Sequence, residues 1–537
     1  MKNPELPNIG QLKILVDRVL TLRCPDTSSP QYGSFDRDFW AYRTVRGFQS
    51  GPYQHVMSGF AYLGEQQTTD TSLFFRKLAE SALKQWVWQR NANGSTNEWY
   101  RNEQSFCATA MGLHAATETL LTLERLGQSP SSKEADEQLV ISERWLAQRA
   151  NSQAANQEVA SLVGRWNLGA LLQDRKIQNR AETSLTKVIN KVDEAGYLSE
   201  YGGFDIGYSL LSLDLLVSSH RAGFTDVLFL AARICKQLES VVSRGGDLPF
   251  ALGSRGTHHP FFGGARYFST LIPEAARLLS RLRSDYMDHQ IQQTMFYDDR
   301  YLATFGFAAA TRLFIPAVGQ SFETKCEPVV PIPSQPSLLE RIDLLNGTLF
   351  CNRKLGSSLQ FLGDDHTTDI HLGYSFARGG RWWCSLSTQS KANSLTRHQF
   401  VKQSTTIPLQ RFELAFALLQ TLCRFPWVAS RVSRWARLKL GRSSKTRPTY
   451  FSRTIQVHDE VVKVCDEITS KYQSDLSMIQ SLAAFPFHSP SLVSSVEMTL
   501  VNQFPATHFV CDDLASVTFH WELDTSKKLV PNRVRLM

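Results

Sequence analysis

The apolar period changes part-way along the chain, and one secondary-structure class cannot serve both halves. Between about residues 52 and 320 apolar residues recur at helical spacing. Beyond a proline cluster at Pro328, Pro331, Pro333 and Pro336 they alternate with a period of two. After Asn102-Glu103-Gln104-Ser105, the residues Phe106, Ala110, Leu113 and Leu120 fall on one helical face. Ile206, Leu210, Leu213 and Val217 do the same after Gly202-Gly203. Further helical segments are expected over roughly 73–89, 136–149, 156–174, 177–193, 224–241, 264–283 and 299–313, joined by short turns such as Ala222-Gly223 and Gly245-Gly246. No strand signal separates them, which excludes βαβ units. Paired helices in a ring or stack are the natural architecture, and the pattern alone leaves a solenoid open.

In the second half Ile455 and Val457, a His458-Asp459-Glu460 turn, then Val462 and Val464 read as a hairpin. Leu359 with Phe361, and Val517, Phe519 and Trp521, read as further strands. The expected fold class is multidomain α+β. A helical domain over 1–327 precedes an antiparallel β domain, a sandwich, over 337–537. A length of 537 residues accommodates that division, since a domain commonly takes about 100–200 residues. With 42% hydrophobic and 20% charged residues, wholesale disorder is excluded.

The nine cysteines are scattered, and none forms a C-x-x-C pair. That opposes a disulfide framework and a thiolate zinc site, and favours a reducing compartment. Pro4, Glu5, Pro7 and Asn8 interrupt the position where a signal peptide needs an apolar run, so no export signal is expected. No stretch of about 20 apolar residues appears, so no bilayer span is expected either. The expected location is cytoplasmic. A net charge of +8 permits an acidic partner without pointing to nucleic acid.

Three polar-aromatic clusters stand at helix starts or loops of the first half, where a rigid scaffold commonly holds functional groups. They are Asn97–Ser105, Glu200–Tyr208 and Gly253–Pro260. Taken singly, Asn102 or Ser105 and Asp205 read as helix N-caps. Together they mix carboxylate, amide, Tyr, Arg and His in a way that capping does not require.

The segments N-E-x-S at 102–105 and Y-G-G-x-D-x-G-Y at 201–208, set in helices followed by a β domain, resemble the heparinase II/III-like polysaccharide lyases and related proteins of bacterial surface-polysaccharide clusters. In architecture the resemblance spans about residues 35–537; in sequence it rests on residues 97–105 and 200–208. It implies an (α/α) toroid, an antiparallel β-sandwich, and an acidic polysaccharide held in the cleft between them.

β-Elimination at a uronic acid removes a C5 proton that is weakly acidic until the neighbouring carboxylate is neutralised. The Asn102 amide, a protonated Glu103 or Arg255 offers a hydrogen bond to that carboxylate. Tyr208 or a neutral His258 offers the base, and a tyrosine the acid for the leaving oxygen. The expected catalytic set is therefore Asn102, Glu103, Tyr208 and His258. Tyr100, Glu200, Tyr201, Asp205, Arg255 and His259 are expected to bind substrate. This chemistry needs no cofactor. Glycoside hydrolysis is the rival, because Glu103, Glu200 and Asp205 offer the two carboxyls it requires about 5–10 Å apart. A uronate epimerase would share the proton abstraction, and a non-catalytic glycan-binding or assembly protein would keep only the scaffold.

Two features of the second half stand apart. Asp369 and His371 alternate along an expected strand, so both side chains fall on one face and offer a weak divalent-metal site suited to Zn²⁺ or Mn²⁺. Residues 409–442 return to a helical period, broken at Pro426. From Arg424 to Arg447 there are eight basic residues and no acidic one. A basic helix with interleaved Val428, Val432, Trp435 and Leu438 suits a membrane interface, so peripheral contact at the inner membrane face is expected through 409–447.

Overall fold

A computed structural model describes residues 9–42, 47–67, 69–128, 133–150, 154–190, 192, 197–200, 203–252 and 257–315. Beyond 338 it describes the strands named below, Asp364, and residues 418, 421–425, 427–429 and 431. The proline cluster, Tyr201 and Arg255 lie outside the described residues.

Helices fill the first part: α1 (Ile9–Leu20), α2 (Val56–Gln66), α3 (Thr69–Trp88), α4 (Phe106–Arg125), α5 (Lys133–Ala147), α6 (Ala155–Leu171) and α7 (Arg175–Asn190). They continue with α8 (Ile206–Arg221), α9 (Val227–Ser240), α10 (Gly263–Phe268), α11 (Pro273–Arg281), α12 (Tyr286–Met295), α13 (Asp299–Tyr301) and α14 (Phe307–Arg312). The segment expected as one helix over 264–283 is two. Pro273 at the first turn of α11 fits a helix start but not a helix interior, so the chain turns between Phe268 and Pro273. Likewise 299–313 is interrupted by a π-turn at Leu302–Gly306.

Helix contacts form a closed circuit. α2 packs on α4, α4 on α6, α6 on α8, α8 on α10, α10 on α14, and α14 back on α2. α3 packs against α2, α7 against α6, α9 against α8 and α11 against α10. The circuit helices are buried almost all round, as α8 shows with 13 of its 16 residues buried, which is why its polarity is weakly sided. Small residues permit close approach: a Cβ on Gly164 of α6 would lie 2.8 Å from the His114 backbone nitrogen of α4.

An ion cluster joins these helices. Arg312 of α14 donates through Nε and Nη2 to Glu118 of α4, and through Nη1 to Asp214 of α8 at 2.6 Å. Tyr62 of α2 donates its hydroxyl to the same Glu118. Every member is at most 4% exposed.

The second part is antiparallel. β1 (Leu339–Leu344), β2 (Gly347–Asn352), β3 (Leu359–Gly363), β4 (Asp369–Arg378), β5 (Arg381–Ser387), β6 (Leu395–Thr396), β7 (His398–Lys402), β8 (Thr446–Arg447), β9 (Thr449–His458), β10 (Val461–Ser470), β11 (Met478–Leu482), β12 (Thr507–Val510) and β13 (Ser516–Asp524) make two sheets. One runs β1-β2-β3-β4-β5-β7-β8, with β11 on β4 and β12 on β11; the other runs β13-β10-β9-β6. The expected hairpin is β9–β10, closed by His458 opposite Val461. β13 pairs on its far side, Trp521 opposite Val464.

The first β hairpin docks on the turn after α9. The Arg244 backbone N–H donates to Thr348 Oγ1, its guanidinium pairs with Asp364 at 2.8 Å, and Arg341 donates to the Val242 carbonyl. Phe350 and Leu362 thereby join the main helical core.

Removing Arg312 leaves two carboxylates buried without their cation, a loss of about 3–5 kcal/mol. Arg312→Met is therefore expected to lower the chemical-denaturation midpoint strongly. Adding Glu118→Gln and Asp214→Asn should recover much of it, because the stranded charges are gone.

Candidate functional site

The segments that lead into the circuit helices meet at the helices' N-terminal ends. The Gly51 N–H donates to the Asn97 carbonyl, joining the approach to α2 with the approach to α4. Arg300 of α13 pairs with Glu98 and lies 4.0 Å over the Trp99 ring. Ala154 and Glu200 bridge the approaches to α6 and α8. The Thr257 N–H approaches Asp205 at 3.4 Å, joining α8 to the approach to α10. The Cys107 thiol is raised well above its ordinary pKa by burial, helped by the charges of Glu98, Glu103 and Glu200. The first sequence cluster and the described parts of the other two thus border one region.

Local chemistry explains what each carboxylate does there. Ser105 caps α4 by accepting from the Ala108 N–H, and Asp205 caps α8 by accepting from the Tyr208 N–H at 3.0 Å. Fully buried Glu200 accepts from the Asn156 backbone N–H at 2.6 Å and from its side-chain amide at 3.3 Å, satisfying an amide at the first turn of α6. Glu103 Oε2 accepts from the Glu98 and Trp99 N–H groups at 2.8 and 2.7 Å and closes their loop. Tyr100, half-buried, belongs to that loop and accepts the Glu103 N–H on its carbonyl. Asn102 sits in the left-handed region at φ 57°, and its amide donates to the carbonyls of Cys423 and Arg424 at 3.0 and 3.3 Å.

The histidines divide differently from expectation. The His258 ring stacks on Phe250, whereas the His259 ring meets Tyr208 edge-on with centroids 5.8 Å apart. His259 Nδ1 faces the His258 carbonyl at 3.2 Å and the Tyr297 hydroxyl at 3.0 Å. A carbonyl only accepts, so Nδ1 carries the proton. The Tyr297 hydroxyl in turn donates to the His258 carbonyl at 2.8 Å. His259 Nε2 is then the unprotonated nitrogen, and it has no hydrogen-bond partner among the described residues. Burial lowers the His259 pKa to about 3 and that of His258 to about 4. Tyr208, at the first turn of α8, is half-buried, and Tyr301 and Phe305 complete the ring cluster around His259.

Next to Phe305 lies a cavity of about 20 Å³ lined by His55, Ser58, His114, Thr304 and Arg312. That volume accommodates one water molecule. His55 Nε2 has no hydrogen-bond partner among the described residues. Burial lowers the pKa of His55 to about 3 and of His114 to about 4. His55, His114 and Arg300 escaped the sequence reading, and Glu98 entered it only as part of the Asn97–Ser105 cluster, without a role of its own. Of the first three only His55, in Pro52-Tyr53-Gln54-His55 before α2, carried a local polar-aromatic signal.

Asp369 and His371 occupy β4 opposite Leu362 and Gln360. Among the described residues no group of three or more metal-binding side chains converges. No helix among the described residues is long and apolar enough to cross a membrane. No protein-family model matches the sequence, and no curated protein matches it significantly.

Acid is expected to destabilise the fold in a defined window. Near pH 6.5 the unfolded chain protonates histidines that the folded protein keeps neutral down to about 3 or 4. Their contribution is complete above about 6.5 and is lost as pH falls toward 4. Asp214, raised to about 6 by burial, takes its proton first in the folded state and opposes the loss with one group against four. Glu118, held at about 2 chiefly by the Arg312 charge against its burial, adds to the loss below its ordinary 4.5. Denaturation midpoints should hold from about pH 7.5 to 6.5 and fall from there to 4, and a profile flat down to 4 would refute the neutral-histidine assignment.

Proposed function

We propose that the protein is a polysaccharide lyase-like enzyme that cleaves an acidic, uronate-containing polysaccharide by β-elimination. The helix circuit is read as an (α/α) toroid and the two sheets as the layers of a β-sandwich, with the polysaccharide bound at the N-terminal ends of the circuit helices. The supporting observation is the Tyr208–His259 pair, which stands where those ends meet. Tyr208 is the half-exposed member and takes the role of the group that touches the sugar, abstracting the C5 proton and returning one to the leaving oxygen. Neutral His259, behind it, is a positioning residue whose Nδ1 proton is committed to the Tyr297 and His258 oxygens.

The carboxylates support elimination over hydrolysis. Hydrolysis needs one carboxyl as acid and another as base or nucleophile, both facing the bond. Glu200 and Asp205 are fully buried and accept from helix-end amides, and Glu103 accepts from two loop amides. Each would have to abandon backbone donors to act on a sugar. The amide ends of several helices near one region also favour a negative charge over a neutral substrate. An epimerase would share the same first proton transfer, with C5 solvent exchange as its signature.

Incubation with a panel of acidic polysaccharides should generate the ultraviolet absorbance of an unsaturated uronate. Tyr208→Phe removes one hydroxyl and is expected to lower that rate by about 10²–10⁴-fold without shifting the denaturation midpoint. His258→Ala should matter far less than His259→Ala. Full activity in Tyr208→Phe, or new reducing ends without the double bond, would overturn the reading.

A further inference from the structure

We propose that the outward face of the segment around residues 418–431 docks on an anionic lipid bilayer and brings membrane-attached acidic polysaccharide to the mouth of the site. The substrate half of this statement rests on the lyase reading; the docking half does not.

The segment is two-sided. Cys423 and Ala429 are fully buried against the protein, while Leu418, Leu422, Phe425 and Trp427 are 60, 42, 57 and 64% exposed. Four large apolar side chains exposed so close together in sequence form a patch of the kind that marks an interaction surface. The inner side is held by Asn102, whose amide donates to the carbonyls of Cys423 and Arg424. Asn102 belongs to the loop that leads into α4 beside Glu103, so the patch stands next to the proposed site.

Charge selects the occupant. Arg424 and Arg431 are exposed within the patch, and the Arg431 guanidinium lies 5.7 Å from the centre of the Trp427 ring. The sequence continues the bias with eight basic residues and no acidic one from Arg424 to Arg447. A soluble polyanion would engage the arginines and leave the leucines, Phe425 and Trp427 in water. An anionic bilayer engages both: headgroups meet the guanidinium groups and the acyl boundary takes the apolar side chains. Tryptophan beside arginine is the composition that interfacial elements use.

Co-sedimentation of the full chain with phosphatidylcholine vesicles, with and without phosphatidylglycerol, tests the proposal. Binding is expected only with the anionic lipid and should weaken at high salt. The triple variant Leu422→Glu, Phe425→Glu and Trp427→Glu changes exposed positions and should lose at least about tenfold in vesicle binding, with its circular dichroism unchanged. Arg424→Gln with Arg431→Gln should weaken binding and flatten its salt dependence. If the intact chain ignores anionic vesicles at low salt, or the triple variant binds as well as the parent, the docking surface is refuted. Concentration-dependent self-association abolished by the triple variant, without vesicle binding, would assign the patch to a second copy of the chain instead. Elimination measured on soluble polysaccharide separates the two readings. The triple variant should retain it, and vesicle binding without any elimination would overturn the enzyme while leaving the docking surface in place.

Discussion

One guanidinium connects most of the helix circuit. Arg312 reaches α4 and α8 from α14, and Glu118 passes the connection to α2 through Tyr62. Desolvating an arginine and two carboxylates is expensive, and a well-packed apolar trio of the same volume would commonly be as stable. What ionic pairing adds is direction: the fork fixes which helices face each other and at what height. The two acids divide the cation unequally. Glu118 takes two guanidinium bonds and the tyrosine hydroxyl, whereas Asp214 takes one guanidinium bond and leaves Oδ1 without a partner among the described residues. Burial raises the pKa of both acids, and the Arg312 charge overcomes it at Glu118 but not at Asp214, so Glu118 ends low and Asp214 high.

That height setting matters because the proposed chemistry happens at the helix ends above it. With α4, α6 and α8 held level, Glu200 and Asp205 have unpaired amides of α6 and α8 within reach and are taken up by them, while Glu103 is taken up by the amides of its own loop. The same clusters that look catalytic in sequence are therefore divided by the fold. Acids serve the backbone, and the groups left for proton transfer are aromatic hydroxyls and imidazoles kept neutral by burial. Elimination at a uronate, which asks for a proton-transferring hydroxyl and a hydrogen-bond donor to the substrate carboxylate, suits such a remainder better than a reaction needing two ionisable carboxyls.

The sequence made the two-part organisation legible because periods of 3.6 and 2 are local properties of short windows. β9, β10 and β13 were visible as alternation, and α3, α6 and α7 as stripes. α2 was not anticipated: its residues are buried almost without interruption, so no stripe marks it. The break before α11 was announced by Pro273 but outweighed by flanking leucines. At the site, Asp205 and Ser105 declared their capping role through position alone. The choice between His258 and His259 was beyond local reasoning, since adjacent residues differ only in which way the backbone turns them. Glu98 with Arg300, and His55 with Thr304 around one cavity, join positions some 200 residues or more apart, and spacing carries no trace of such pairs.

Asn102 shows how one residue type satisfies two readings that the sequence could not separate. A left-handed backbone at φ 57° favours asparagine among side-chain-bearing residues, because its short amide tolerates that region. The same amide supplies two donors to carbonyls of a short helical turn, groups that a helix end leaves without partners. An aspartate would fit the backbone but present acceptors to acceptors; a glycine would fit the backbone and present nothing. Conformation and hydrogen bonding thus select asparagine whether or not a sugar carboxylate ever meets it. For Asn102, proximity to the proposed site follows from its work as a joint between the α4 approach and the 418–431 segment. Its amide can serve a substrate only when that joint is released.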